Sequence, residues 1–233
     1  MLLRLVRSIT LADYENFIHL AIRYSGHMLP VGDAQLVQIV DAAVADAARR
    51  SGPMLLCGPG CTQCCIGVFP ISQLDAARLR TGLTALDATE PERAAAVRQR
   101  AQQSVARLIP EFPGDPQTGI LNETSPDLED FAMDDFANDE PCPALDPATG
   151  LCDLYSARPM TCRVFGPPLR VQDSSGDAGL GVCELCFHGA TEEEIAACEV
   201  HLDTEDLEST LNNEAEQATN QSGNTIVAWA LIS

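Results

Sequence analysis

Residues 57–65 read CGPGCTQCC, four cysteines in nine positions. A hydrophobic core has no use for thiols at that density, so whatever this chain folds into must give the sulfurs a partner. Adjacent Cys64 and Cys65 are poor disulfide partners, because the ring they would close is strained. Gly58, Gly60 and Gly67 let the backbone wrap tightly around one centre. Further cysteines follow at Cys142, Cys152 and Cys162, separated by nine residues each time, then at Cys183-x2-Cys186 and Cys198, ten in all. The opening stretch MLLRLVRSITLADYENF has two arginines, no continuous apolar run and no small-residue cleavage site, so it reads as folded protein and not as a signal peptide. A cytoplasmic location follows as an expectation. Thiols stay reduced there, and clustered cysteines then point to metal binding or catalysis more than to disulfides.

Two metal chemistries fit the spacing. Zinc takes four sulfur or nitrogen ligands in a closed tetrahedron, often supplied as C-x2-C pairs, and the chain has two: Cys61-x2-Cys64 and Cys183-x2-Cys186. Iron–sulfur clusters take three or four thiolates from tight loops with another arriving from afar, which C-x3-C-x2-C-C also suits. Thiolates carry negative charge that must be offset. Residues 111–233 hold 3 Arg against 25 Asp/Glu, and two of those three, Arg158 and Arg163, bracket Cys162.

The formal charge is −20 and there is no lysine anywhere. That excludes a P-loop lysine, a Schiff-base lysine and a lysine general base. So acidic a surface repels phosphate backbones, so no nucleic-acid partner is expected. No run approaches the ~20 apolar residues of a membrane helix, so no membrane association is expected either. No protein partner can be named.

Elements follow from periodicity. Asp13 to Tyr24 has helical spacing. GDAQLVQIVDAAVADAARRSG predicts an amphipathic helix capped by Asp33, with Leu36, Val37, Val40, Val44 and Ala47 on one side and Gly52 past its end. Ile66 to Ile71 reads as a short extended piece. Ser72 with Asp75 predicts a helix start, running to about Leu83. Another helix runs from Pro91 to Ile109. Pro110 to Pro141 is rich in Pro, Gly and acids and reads as a long loop that Phe112, Phe131 and Phe136 dock in places. DPATG is a turn, and a short helix starts near Leu154. Thr191 with Glu194 is a capping box. NTIVAWALIS reads as a strand-like apolar tail. No internal repeat is evident.

The combination of CGPGCTQCC, FPIS, PCPALD, GLCDLYSARPMTCRVFG and a later cysteine resembles the YkgJ-type cysteine-cluster family, described as zinc- or iron-chelating and written C-x2-C-x2-C-C; here the first gap is three residues. The resemblance spans Cys57 to about Cys186. It implies metal ligation by Cys57, Cys61, Cys64, Cys65, Cys142, Cys152, Cys162 and one of Cys183 or Cys186. The family is distantly similar to the flagellin lysine-N-methylases, which implies methyl transfer as an alternative activity.

Other constellations compete. Cys57-x3-Cys61-x2-Cys64 has the spacing of radical S-adenosylmethionine enzymes, but a helix precedes it, Gln63 stands where those enzymes have an aromatic, and no strand–helix alternation follows. Cys183-x2-Cys186-x11-Cys198-x2-His201 has zinc-finger-like spacing for a separate site. His19, His27 and His188 read as surface or core residues more than ligands, and of the three only His188, two residues past Cys186, is a candidate to check. No G-x-S-x-G, H-E-x-x-H or glycine-rich phosphate loop is present, and Asp134-Asp135 reads as solvated.

The expectation is a mainly α, loop-rich fold with little β, its helices arranged around a cysteine-bound centre. An N-terminal helical segment spans 1–56, a cysteine-cluster domain 57–190 with an acidic loop at 110–141, and a C-terminal helix with an apolar tail 191–233. The function expected is binding of zinc or an iron–sulfur cluster through Cys57, Cys61, Cys64, Cys65, Cys142, Cys152, Cys162, Cys183 and Cys186. The alternatives are a cluster-dependent enzyme such as a lysine methyltransferase, and a thiol redox protein.

Overall fold

The structure, a computed structural model, describes residues 29–122, 137–172, 178–202 and 204–232. The readings at Asp13 to Tyr24, His19, His27, Phe131, Asp134, Asp135 and Phe136 lie outside them.

The longest helices come first in the chain. Helix α1 (Asp33–Ser51) buries Leu36, Val40 and Ala47, the stripe its periodicity predicts. Asp33 does not cap it. Gly32 occupies the cap position at φ 113, and Asp33 is the first helical residue, its carboxylate accepting from Arg78 Nε at 2.6 Å. An ion partner inside the fold outcompetes the local cap. Gly52 ends the helix as expected, its N–H donating to Ala48.

Helix α2 (Gln73–Thr89) starts where Ser72 accepts from Asp75 N–H, and runs a turn and a half beyond Leu83. It is buried over Gln73 to Arg80, Arg78 and Arg80 included, because other elements pack on every side of its first half. Helix α3 (Pro91–Leu108) returns against it after the single residue Glu90. Together they bury Leu79, Leu83, Ala94, Val97 and Ala101 with Ile71, Ala144, Leu154, Val227 and Leu231. Burial of small aliphatic side chains drives this layer, in keeping with a chain that is only 5% aromatic.

Strands are short antiparallel pairs. β1 (Gly114–Asp115) pairs with β2 (Ile120–Leu121), and β3 (Leu145–Asp146) with β4 (Leu151–Cys152). The two turns are copies of one design, a repeat that escaped the sequence reading. GDPQTGIL and LDPATGLC each place an Asp whose carboxylate accepts from the backbone N–H two residues on and from the Thr hydroxyl three residues on. β5 (Leu169–Gln172) pairs with β6 (Ala178–Gly181), a hairpin that the sequence reading missed. The 66–71 stretch is extended as expected. It bridges Pro141 at Ile66 and Thr225 at Ile71.

Helix α4 (Met160–Val164) follows a 3-10 turn at Tyr155–Ala157. Helix α5 (Glu192–Ala196) has the expected Thr191/Glu194 capping box but only five residues. Helix α6 (Glu205–Thr219) is the long C-terminal helix. It packs Leu211 and Ala215 against α1 and α2. The apolar tail is not a strand: only Thr225 pairs, and Val227–Ala230 forms helix α7, buried beside α2 and α3. A strand there would have needed a free sheet edge, whereas a helical turn meets its own backbone hydrogen bonds. Phe112 docks as expected, stacked on Trp229 with ring centroids 4.0 Å apart.

Candidate metal centre

All ten cysteines lie among the described residues, and all ten are free thiols. The fold gathers nine of them into two groups rather than one.

The first group joins the start of the cysteine-rich loop to the CELC segment. A 3-10 turn at Gly52–Met54 carries the chain out of α1, and Met54 C=O accepts from Phe187 N–H at 2.9 Å. Leu56 N–H donates to Cys186 Sγ at 3.4 Å, and Cys57 Sγ stands 3.9 Å from Cys186 Sγ. Cys186 N–H in turn donates to Cys183 C=O, the tight turn that brings both sulfurs of C-x2-C to one side. The sulfurs of Cys57, Cys183 and Cys186 all lie within 4.8 Å of one another. Four thiolates at a Zn–S distance of about 2.3 Å stand about 3.8 Å apart along the edges of their tetrahedron. The 3.9 Å between Cys57 and Cys186 is close to that edge. Cys61 is the next thiol in reach, near enough to Cys57 to raise its pKa electrostatically.

Gly166 explains how the loop fits. Its φ is 123, and a Cβ there would fall 2.9 Å from Cys57 Sγ. Only glycine lets the chain beyond α4 pass so close to the sulfur.

The second group lies across the 65–67 and 140–142 bridge. Cys142 N–H donates to Cys65 C=O at 2.7 Å, and Gly67 N–H to Glu140 C=O at 2.9 Å. The β3–β4 hairpin carries Cys152 opposite Leu145, and α4 carries Cys162. Cys64, Cys142, Cys152 and Cys162 each feel at least one other thiol of this set. Cys65 is a hydrogen-bond partner of Cys64.

The electrostatics are those of crowded, partly buried thiols. Burial pushes Cys142 up to about 12, and pushes Cys162 and Cys57 up as well, with neighbouring thiols adding to each. Cys64 moves the other way, to about 6, through its bond with Cys65 and the nearby Arg158. Backbone N–H groups oppose the rise elsewhere: those of Ala144 and Leu145 bond to Cys142, that of Leu154 to Cys152, and that of Leu185 to Cys183. Such donors favour the thiolate, the form that binds metal.

The two arginines that bracket Cys162 have different roles. Arg158 acts on Cys64 and Cys152 and lies over the Tyr155 ring, 4.0 Å from its centroid. Arg163 is buried and spends its guanidinium on Asp41 and the Ser156 carbonyl. Arg170, the third cation of the acidic half, pairs with Glu199.

Cys198 and His201 do not complete the CELC pair. Cys198 is buried and packs against Cys183, Cys186 and Phe187, but the close group of ligand atoms contains neither it nor exposed His201. Cys57, 126 positions upstream of Cys183 in the numbering, takes that place. Only a contact between distant segments reveals this, and no spacing rule within CELC…CEVH could have.

Residues 56–202 match the family model CxxCxxCC, described as "Putative zinc- or iron-chelating domain". The chain belongs to this family. The CxxCxxCC match begins just before Cys57 and ends past His201, so both sulfur groups fall inside it. No curated protein matches the chain, and no solved structure does. Methyl transfer therefore rests on the sequence resemblance alone.

Proposed function

We propose that this chain is a thiolate metal-binding protein whose tightest site holds one zinc ion between the cysteine-rich loop and the CELC turn. Cys57, Cys183 and Cys186 supply three sulfurs and Cys61 the fourth. The observation that carries the reading is the close approach of three sulfurs from segments more than a hundred residues apart, one pair at 3.9 Å. Three uncompensated thiolates packed this closely would repel, and a divalent cation removes that cost. A site closed by four protein sulfurs has no open position, so its role is to hold the fold together. Here it would clamp α1's exit to the β6–α5 connection. Reduced thiols in such numbers suit a cytoplasmic location.

The test is elemental analysis of the full chain, unmutated and as Cys186→Ser, with a zinc-release assay under a competing chelator. The unmutated chain is expected to retain tightly bound zinc and the variant to lose one equivalent. Equal zinc in both proteins, or none in either, would overturn the proposal.

A further inference from the structure

We infer that the groove between α2 and α3 is a binding site for a short aliphatic carboxylate, held by Arg80 and Arg98 at its charged end and by Leu83, Leu231 and Ile232 along its tail. The inference is independent of the metal reading, since none of the lining residues is a cysteine.

The sequence sets the site up. Arg80, Leu83, Thr84 and Asp87 fall at i, i+3, i+4 and i+7 of α2 and so share one face. Arg98 and Gln102 fall at i and i+4 of α3. Glu90 alone joins the two helices, so α3 folds straight back and brings its residues alongside those of α2. Arg98 Nη1 donates to Asp87 at 2.9 Å across the two helices. Leu231 and Ile232, just past α7, supply the remaining wall.

Between these walls lies a cavity of about 190 Å³. Water takes about 30 Å³ in the liquid, so the space suits about six waters or a ligand of about six non-hydrogen atoms. Butyrate is of that size.

The lining decides the sign of the ligand. Arg80 is only 8% exposed, yet it borders the cavity. Burial lowers its pKa from the ordinary 12.5, because a desolvated cation is costly, and a carboxylate against it offsets that cost. A guanidinium has five N–H donors in a fixed fork, so Arg80 can take a ligand oxygen in addition to its other contacts. Thr84 spends its hydroxyl proton on the Arg80 carbonyl, at 2.9 Å. The side-chain donors left in the lining are then the two guanidiniums and the Gln102 amide. With Asp87 paired to Arg98, the group holds two cations and one anion, which a single negative charge balances. The groove is built mostly from residues 1–110, where 11 Arg stand against 9 Asp/Glu, so the acidity of the chain as a whole does not repel an anion here.

The aliphatic wall decides the rest. Leu83 and Leu231 are buried in the core layer and Ile232 is 42% exposed, so an apolar tail laid over them would remove apolar surface from water. Cys142 and Cys152 pack against the same layer, which a bound ligand would brace.

The experiment is isothermal titration of the full chain with butyrate, and with butyramide, acetate and inorganic phosphate as comparison probes. Butyrate is expected to saturate one site per chain. Butyramide lacks the charge and phosphate lacks the tail, so each should bind about tenfold more weakly or worse. Acetate, with a shorter tail, should also be weaker. Arg98→Gln should weaken butyrate by about tenfold. Asp87→Asn, which frees Arg98 from its carboxylate, should tighten it. The side chains of Arg98 and Asp87 are 40% and 46% exposed, so neither change threatens the fold. No saturable butyrate binding, equal affinity for butyramide, or an Asp87→Asn variant that binds no better would overturn the inference. Acetate or phosphate matching butyrate would overturn the aliphatic tail and with it the ligand class.

Discussion

Cys57 and Cys186 lie 129 positions apart in the chain and bring their sulfurs to 3.9 Å. Around them sit Met54, Leu55, Phe187 and Ile195, a small apolar shell separate from the main helical layer. A shell that small is weak support for two distant segments, and on the proposed reading metal binding there would supply folding energy.

Chelation of the metal is therefore expected to lower the stability of the whole chain. For a domain of this size each kcal/mol lost moves the melting temperature by about 2–4 °C. Scanning calorimetry with and without a strong chelator checks this. A melting curve indifferent to metal removal would count against any structural role for the tight site.

Gly166→Ala should weaken that site without touching a sulfur. The added methyl would sit 2.9 Å from Cys57 Sγ at a φ of 123, where side chains are strained. Strain of this kind costs about 1–3 kcal/mol. The expected readout is faster zinc loss to a competing chelator, alongside a drop in stability. Unchanged kinetics of release would show that Cys57 is not held in place by this close passage.

Arg78 bonds Asp33 and Asp75, each at 2.6 Å, with all three side chains buried. The cluster ties the first residue of α1 to the first turn of α2, and Asp75 passes the link on to α4. Removing the shared cation leaves two buried carboxylates without a counter-charge. Arg78→Met is expected to cost about 3–5 kcal/mol, read from urea unfolding. A triple variant that also replaces Asp33 and Asp75 with apolar residues should recover much of it.

Above pH 9.0 the metal-free protein should lose stability as pH rises. Burial lifts the Cys142 thiol from an ordinary 9.0 to about 12. A folded-state value above the unfolded one means that the stabilising proton is held below pH 9.0. That contribution is lost as pH climbs from 9.0 through about 12. The metal-loaded protein holds thiolates already, so its stability should not follow the same slope, and loading at neutral pH should release protons. Denaturant titrations at several alkaline pH values, with and without metal, separate the two curves.

Much of this molecule is legible in the linear chain. The helices at α1, α2 and α3 follow from spacing and punctuation because α1 and α3 are amphipathic, α2 starts at the Ser72/Asp75 signal, and all three are bounded by Gly, Ser or Pro. The same holds for the Thr191 cap and the DPATG turn. The β5–β6 hairpin was missed because its strands, LRVQ and AGLG, lack alternation. The tail was misread as a strand because a buried apolar run is the same in either conformation, and only the space beside α2 and α3 selects the helix. Asp33 was misread as a cap because its partner Arg78 is 45 positions away.

The sequence by itself determined that this chain is mainly helical and loop-rich, and its clustered cysteines pointed to metal. Those properties rest on residue type and short spacing, which act locally. How the sulfurs are shared was decided only in three dimensions. Cys57 leaves its own run to meet Cys183 and Cys186, Cys198 becomes packing, and Arg158 rather than Arg163 faces the thiols. A ligand set is a matter of distances between sulfurs, and distances between segments arise only when α2 and its neighbours have closed their core.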